Sequence, residues 1–231
     1  MTDPSTRPTL EAVRARRSWS KVTDAAPPRT ELLTLVEAAA RVADHSSLRP
    51  WRLIELRGDD RLALGAAIAK AEGSDKPSQK PLRAPLLIAV VASYRTSDKV
   101  PRWEQEAVAS GVAHVLSLLL DDAGWGVIWR TGRHTRSKPV AKAHGLGPDE
   151  ELLGWLYVGG KPAGARPGHR TFVDARAHVS RMPAGTTMPA ELVAWREAGD
   201  EPAQRKKQKK RKKQKRSKDR ATKARTQAAP A

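Results

Sequence analysis

Apolar residues along the chain recur at two spacings. The first stretch, TLEAVRARRS (9–18), has helical spacing and ends near Ser18. After the break at Pro27-Pro28, Leu32, Leu33, Val36, Ala39, Ala40 and Ala43 repeat on one helical face, so ELLTLVEAAARVAD is predicted as a helix capped by Thr30. WRLIELRG (51–58) reads as a strand closed by a Gly-Asp turn, DRLALGAAIAKAE as another helix, and GSDKPSQKPLR (73–83) as a polar loop. APLLIAVVAS (84–93) is continuously apolar and β-branched, the signature of a strand buried on both faces.

The segment 100–124 starts with Pro101 and early carboxylates and is apolar almost all round its middle, which predicts the central helix of the domain. WGVIWRTG (125–132) and LLGWLYVGG (152–160) are two further strands, separated by a helix near 137–144 and a turn at GLGPDEE. Beyond Pro162 the pattern loosens, apart from a short helix predicted at PAELVAWREAG (189–199). This order of elements fits an α+β or α/β layered architecture, and periodicity does not choose between them.

Charge changes the picture at one end only. The net formal charge is +18 over 231 residues, yet residues 201–231 hold 14 Lys/Arg against 2 Asp/Glu. The sequence therefore divides into a body, 1–200, of ordinary globular composition and a basic tail, 201–231. Within the tail, RKKQKKRKKQKR (205–216) has no apolar residue with which to build a core and is expected to be disordered in isolation. Cysteine is absent, which excludes disulfides, thiolate metal sites and cysteine nucleophiles. The six histidines lack metal-ligand spacing, so no metal is expected. The N-terminus lacks the apolar core of a secretory signal, and the longest apolar run is too short for a bilayer of about 30 Å. The expected location is cytoplasmic.

Three polar clusters stand out from packing. RARRS (14–18) ends a helix, HSSLRPW (45–51) crowds donors into a loop that leads into a strand, and IWRTG (128–132) ends a strand on a lone arginine. Each alone reads as a solvated helix face, a polar turn or a structural arginine. Together, arginines and hydroxyls at three element ends, with Trp51 and Trp129 nearby, suit a flat aromatic ligand with a phosphate tail. GWGVIW imitates a dinucleotide fingerprint but follows a helix and opens a strand, the reverse of the required context.

With these residues in view, the chain resembles the FMN-dependent nitroreductase family, in its compact bacterial NAD(P)H branch. The anchors, in order from about Leu10 to Pro162, are RRS (16–18), DHSSLRPW (44–51), APLLIAVVA (84–92), KVPRWEQE (99–106), GVIWRTG (126–132) and GWLYVGGKP (154–162). The resemblance implies an α+β homodimer, with a central, mostly antiparallel sheet flanked by helices around a long buried helix. It implies two FMN at the subunit interface, each held by both chains.

Arg16, Arg17 and Ser18 would then meet the FMN phosphate and ribityl chain. The loop before Pro50 would approach the flavin through His45 and Ser47, with Arg41 one helical turn earlier. Trp129, Arg130 and Thr131 would contact FMN again, Arg130 as a second phosphate partner. Ser47 and Arg49 stand where many family members carry Asn and Gln. The implied activity transfers reducing equivalents from NADH or NADPH to a nitro, quinone or related acceptor by a ping-pong mechanism. It needs no catalytic side chain, because flavin N5 carries the hydride. Glu104 and Glu106 are read as first-turn carboxylates that suit the helix dipole.

The tail is expected to bind nucleic acid or another polyanion weakly and without sequence preference, and no membrane insertion is expected. Two alternatives remain open at this point: a nucleic-acid-associated or scaffolding protein on an inactive flavin fold, and a flavin enzyme of different reaction type.

Overall fold

Strand β2 (Leu86–Ser93) is buried along its whole length, as its unbroken apolar sequence requires. Its even-numbered residues Leu86, Ile88 and Val90 belong to one core cluster and its odd-numbered residues Leu87, Ala89 and Val91 to another, so the sheet carries a core on each face. In the computed structural model, which describes residues 7–165 and 170–182, this strand lies inside a four-stranded antiparallel sheet of order β1-β2-β4-β3. Its neighbours are β1 (Trp51–Leu56), β3 (Trp125–Arg130) and β4 (Glu150–Gly160).

Helices α2 (Arg29–Ala39) and α4 (Arg102–Asp122) cover one face. Val112, Ala113, Leu116 and Leu120 of α4 are fully buried there, against Leu86, Ile88 and Val127. Helices α3 (Asp59–Glu72) and α5 (Lys138–Ala143) cover the other, where Leu64, Ile68 and Val140 meet Trp155 and Tyr157. The α+β class stands as the family resemblance implied, and the long buried helix as the sequence pattern predicted.

The short first helix, α1 (Pro8–Ala15), buries none of its residues, and Leu10 and Val13 on it are exposed. All these elements belong to a unit that runs through Thr171. In the next unit, of which Phe172–Met182 is described, Asp174 caps a 3-10 turn at Ala175–Ala177. The helix expected at 189–199 and the tail 201–231 lie outside the described residues. No helix among the described residues is long and apolar enough to cross a membrane.

Two expected features differ. Thr30 does not cap α2: Pro28 occupies the N-cap with extended backbone, and Thr30 lies inside the first turn. The same helix stops at Ala39 and does not reach Asp44. Its last turn tightens, with Arg41 N donating to Ala38 O at 3.1 Å, and the Asp44 side chain turns to backbone donors downstream.

Between Val90 and Val91 the β2–β4 register slips. The bulge explains why Leu152 and Trp155, three residues apart, face the same core. Gly154 occupies it with φ +152°. A Cβ there would lie 2.5 Å from Trp129 Nε1 and 2.6 Å from Arg130 O. The bulge thus gives room to the end of β3.

Candidate functional site: the open end of an edge strand

β3 is an edge strand, and the segment after α1 runs along it, with Trp19 N donating to Val127 O at 3.0 Å. That contact carries Arg16–Ser18 to the same edge as Trp129–Thr131. Strand alternation sends the two side chains at the end of β3 to opposite faces. Trp129 points toward α4 and meets the His114 ring edge-on at 4.9 Å between centroids. Arg130 points to the α3/α5 face, its guanidinium 5.3 Å from the centroid of the Tyr157 ring. Trp129 Nε1 and Arg130 Nε are both buried without a hydrogen-bond partner among the described residues. Beside Arg130 opens a cleft of about 580 Å³, with Arg130 and Thr131 in its wall.

The two N-terminal arginines differ in role. The Arg17 guanidinium donates to the carbonyls of Arg14, Ala15 and Arg16 at 2.6, 3.0 and 2.9 Å. It thereby satisfies carbonyls that the end of α1 leaves open. Arg16 is half-buried, and Ser18 is exposed.

The HSSLRPW loop is wound tightly. Ser46, Ser47 and Arg49 all adopt positive φ, at 63°, 53° and 48°. Left-handed backbone is costly for residues with a Cβ, and such strain gathers at ligand sites. Asp44 holds the loop in place: its carboxylate accepts from Leu48 N at 3.2 Å and Arg49 N at 2.7 Å, and its carbonyl accepts from Ser47 N at 3.0 Å. His45 Nδ1 lies 2.8 Å from Glu104 Oε1 at the start of α4. Glu104 is thus more than a dipole carboxylate, because it orients the loop's imidazole. Glu106 accepts the Tyr94 hydroxyl at 2.5 Å. Arg41 is exposed in the turn after α2.

Within one chain these clusters do not all converge. Arg16–Ser18 and Trp129–Thr131 share the β3 edge, whereas the loop lies beyond β1, the opposite edge. Glu104 beside the loop and His114 beside Trp129 are ten residues apart on α4, about 15 Å at the helical rise.

Firm pairing surrounds the loop end of the sheet. Arg52 donates to both oxygens of Glu150, from Nε at 2.6 Å and from its terminal nitrogen at 2.7 Å, and Ser93 adds a third bond at 3.1 Å. The Arg52 pair chiefly pulls the Glu150 carboxyl down to about 2, against the opposing effect of burial. Burial, then the bond to Glu106, pushes the Tyr94 hydroxyl up.

Three features escaped sequence reasoning. Gly154 had a signal, a lone glycine inside an apolar strand pattern, which marks bulges. Tyr157 reads in sequence as plain core. Arg83 lies in the polar loop 73–83, and nothing local tells it from the other cations there.

The sheet order, the two helical layers and the open β3 edge define the nitroreductase-like class of α+β folds. In the same class is the nitroreductase-like family protein from Bacillus cereus, which superposes with a TM-score of 0.67 at 20% identity, covering 78% of this chain and 99% of the other. The FMN and NADPH-dependent nitroreductase NfnB from sphigopyxis sp. strain HMH gives 0.61 at 18% identity, covering 77% and 100%. Residues 13–160 match the model of the Nitroreductase family. The chain is also 37% identical over 158 residues to the putative NAD(P)H nitroreductase YdjA of Escherichia coli strain K12, covering 65% of this chain and 86% of that one. The chain belongs to the nitroreductase family and is an oxidoreductase.

Proposed function

We propose that this chain is an FMN-dependent oxidoreductase that moves reducing equivalents from NADH or NADPH to a nitro, quinone or related small-molecule acceptor, in ping-pong fashion. The observation that carries the reading is the buried Arg130 Nε at the end of β3, without a partner among the described residues and beside a cleft of ligand size. Burying such a group unpaired is costly, and a carbonyl or phosphate oxygen of a flavin would satisfy it. FMN, when bound, supplies the two-electron carrier that takes hydride from the donor and yields it to the acceptor.

The chain's residues bind and orient. Arg16 and Arg130 offer charge to the phosphate, and Thr131 and Ser18 offer hydroxyls. Arg17 contributes less than its place in RRS implies, because its guanidinium is spent on the carbonyls of α1. Asp44 holds the strained loop so that His45 and Ser47 are presented at fixed geometry.

The same reading makes the protein a homodimer with the loop of one copy completing the cofactor site of the other. Two observations support it. The loop and the β3 edge are too far apart to share one isoalloxazine within a chain, and α1 leaves Leu10 and Val13 uncovered. The tail, 201–231, is proposed as a weak polyanion-binding arm on the strength of its composition.

The test is the visible spectrum of purified protein freed of excess FMN, followed by anaerobic NADH or NADPH. Retained flavin that bleaches, and recovers on adding a nitroarene or quinone, is the expected result. Protein that retains no flavin overturns the reading.

A further inference from the structure

Across the cleft from Arg130, the 3-10 turn Lys80–Arg83 brings a second guanidinium to the same space. The cations around this cleft fall into two sets. Lys80, Arg133 and His134 gather on one carboxylate, Glu72, at 3.3, 3.8 and 3.0 Å. Those neighbours, Lys80 first, hold the Glu72 carboxyl below the usual range. Arg83 and Arg130 make no ion pair among the described residues.

Between them stands Tyr157 of β4, its ring buried under the Arg130 guanidinium. Its hydroxyl makes no hydrogen bond among the described residues. Both arginines are close enough for their charge to oppose the rise that burial imposes on that hydroxyl. Ile128 and Trp155 supply an apolar wall. Two unpaired guanidinium groups and a hydroxyl donor around one cleft match a dianion with several oxygens better than a carboxylate, which one arginine can chelate.

We propose that this cleft binds a phosphate monoester, with Arg83 and Arg130 as its charge partners and the Tyr157 hydroxyl as a hydrogen-bond donor. The inference deepens the flavin reading, on which it rests for the two sources of such a group: the terminal phosphate of FMN and the 2′-phosphate of NADPH. It assigns to Arg83 a part that the sequence does not reveal. It also offsets the loss of Arg17, which the end of α1 consumes.

The test uses the full chain, wild type and Arg83→Ala, with Arg83→Lys as the charge-conserving variant. Arg83 is exposed, so the fold survives its removal. Binding of FMN, riboflavin, adenosine 2′,5′-bisphosphate and adenosine 5′-monophosphate is measured by tryptophan fluorescence and calorimetry, without turnover. If the site holds the FMN phosphate, R83A weakens FMN about tenfold, leaves riboflavin unchanged, and R83K recovers part of the loss. If it holds the 2′-phosphate, R83A leaves FMN unchanged and weakens the bisphosphate about tenfold relative to the monophosphate. Either result supports the proposal. R83A that changes neither FMN nor the bisphosphate overturns it.

Wild-type protein that binds neither flavin ends the flavin reading separately. Adenosine 2′,5′-bisphosphate and inorganic phosphate then decide the cleft alone. Binding lost in R83A supports the phosphate site, and absence of binding overturns it.

Discussion

The Trp155 indole N–H donates to Nε2 of His144 at 3.0 Å, while Nδ1 of the same ring lies 2.8 Å from Val140 O. Those two bonds fix one neutral tautomer, with the proton on Nδ1. Burial, opposed by the bond to Val140, lowers the His144 pKa in the fold. The unfolded chain therefore takes up this proton at higher pH than the native one. His144 leaves stability unaffected well above its unfolded pKa of about 6.5 and costs stability as pH falls from there toward the folded pKa. Urea unfolding of wild type and His144→Gln at pH 7.5 and 5.5 should show the steeper acid loss in the wild type. Parallel losses would remove His144 from the account.

Glu150 provides an acid-side counterpart. Its folded pKa of about 2 lies below its ordinary value, so its contribution is present above the ordinary carboxylate range and fades as pH drops toward 2. Glu150→Gln should cost about 2 kcal/mol at pH 7, as expected for lost hydrogen bonds to a charged group, and much less near pH 3. The ratio of the two losses in urea melts is the check.

Gly154→Ala tests the bulge. A Cβ at φ +152° meets Trp129 Nε1 and the Arg130 carbonyl well inside contact distance. The expected result is roughly 2 kcal/mol or more of destabilisation, with flavin retention lost at temperatures where the fold persists. A variant as stable as wild type, and as yellow, would mean that the end of β3 moves freely.

Strain in the HSSLRPW loop predicts a trade-off. Ser46→Gly relieves a left-handed residue and should raise stability by about 0.5–1 kcal/mol. The freed loop should also bind FMN more weakly, since its geometry is no longer imposed. Thermal melts and flavin titration read both halves, and tighter binding would sink the idea that the strain pre-organises a site.

Arg16→Ala and Arg130→Ala should each weaken FMN retention severalfold, whereas deletion of 201–231 should leave it intact. Gel filtration followed by the 450 nm absorbance per chain decides between them. Loss of flavin on tail deletion would contradict the division into body and appendage.

Much of the fold was legible because the signals are local. Helical spacing marked α2, Pro101 with an apolar middle marked α4, and the unbroken apolar run of 86–93 marked a strand with a core on both faces. Boundaries were less legible, since Asp44 had to choose between prolonging a helix and binding the Leu48 and Arg49 amides, and spacing is silent on that choice. The residues of IWRTG, RRS and HSSLRPW stood out by composition, but composition carries no distances.

By itself, then, the sequence determined the elements, the buried central helix, the family and the residue types offered to a ligand. Each of these follows from short-range periodicity or from motifs within a few residues. The tertiary structure alone decided which clusters meet. Antiparallel pairing of β3 with β4 brings Arg130 over Tyr157, and the sheet order puts RRS and HSSLRPW on opposite edges. It also turned Arg17 back onto its own helix and brought Arg83 to a cleft edge that its loop does not announce. Pairings across 27 residues or more, such as Arg130 with Tyr157, are set by sheet register, and register emerges only when every strand has found its neighbour.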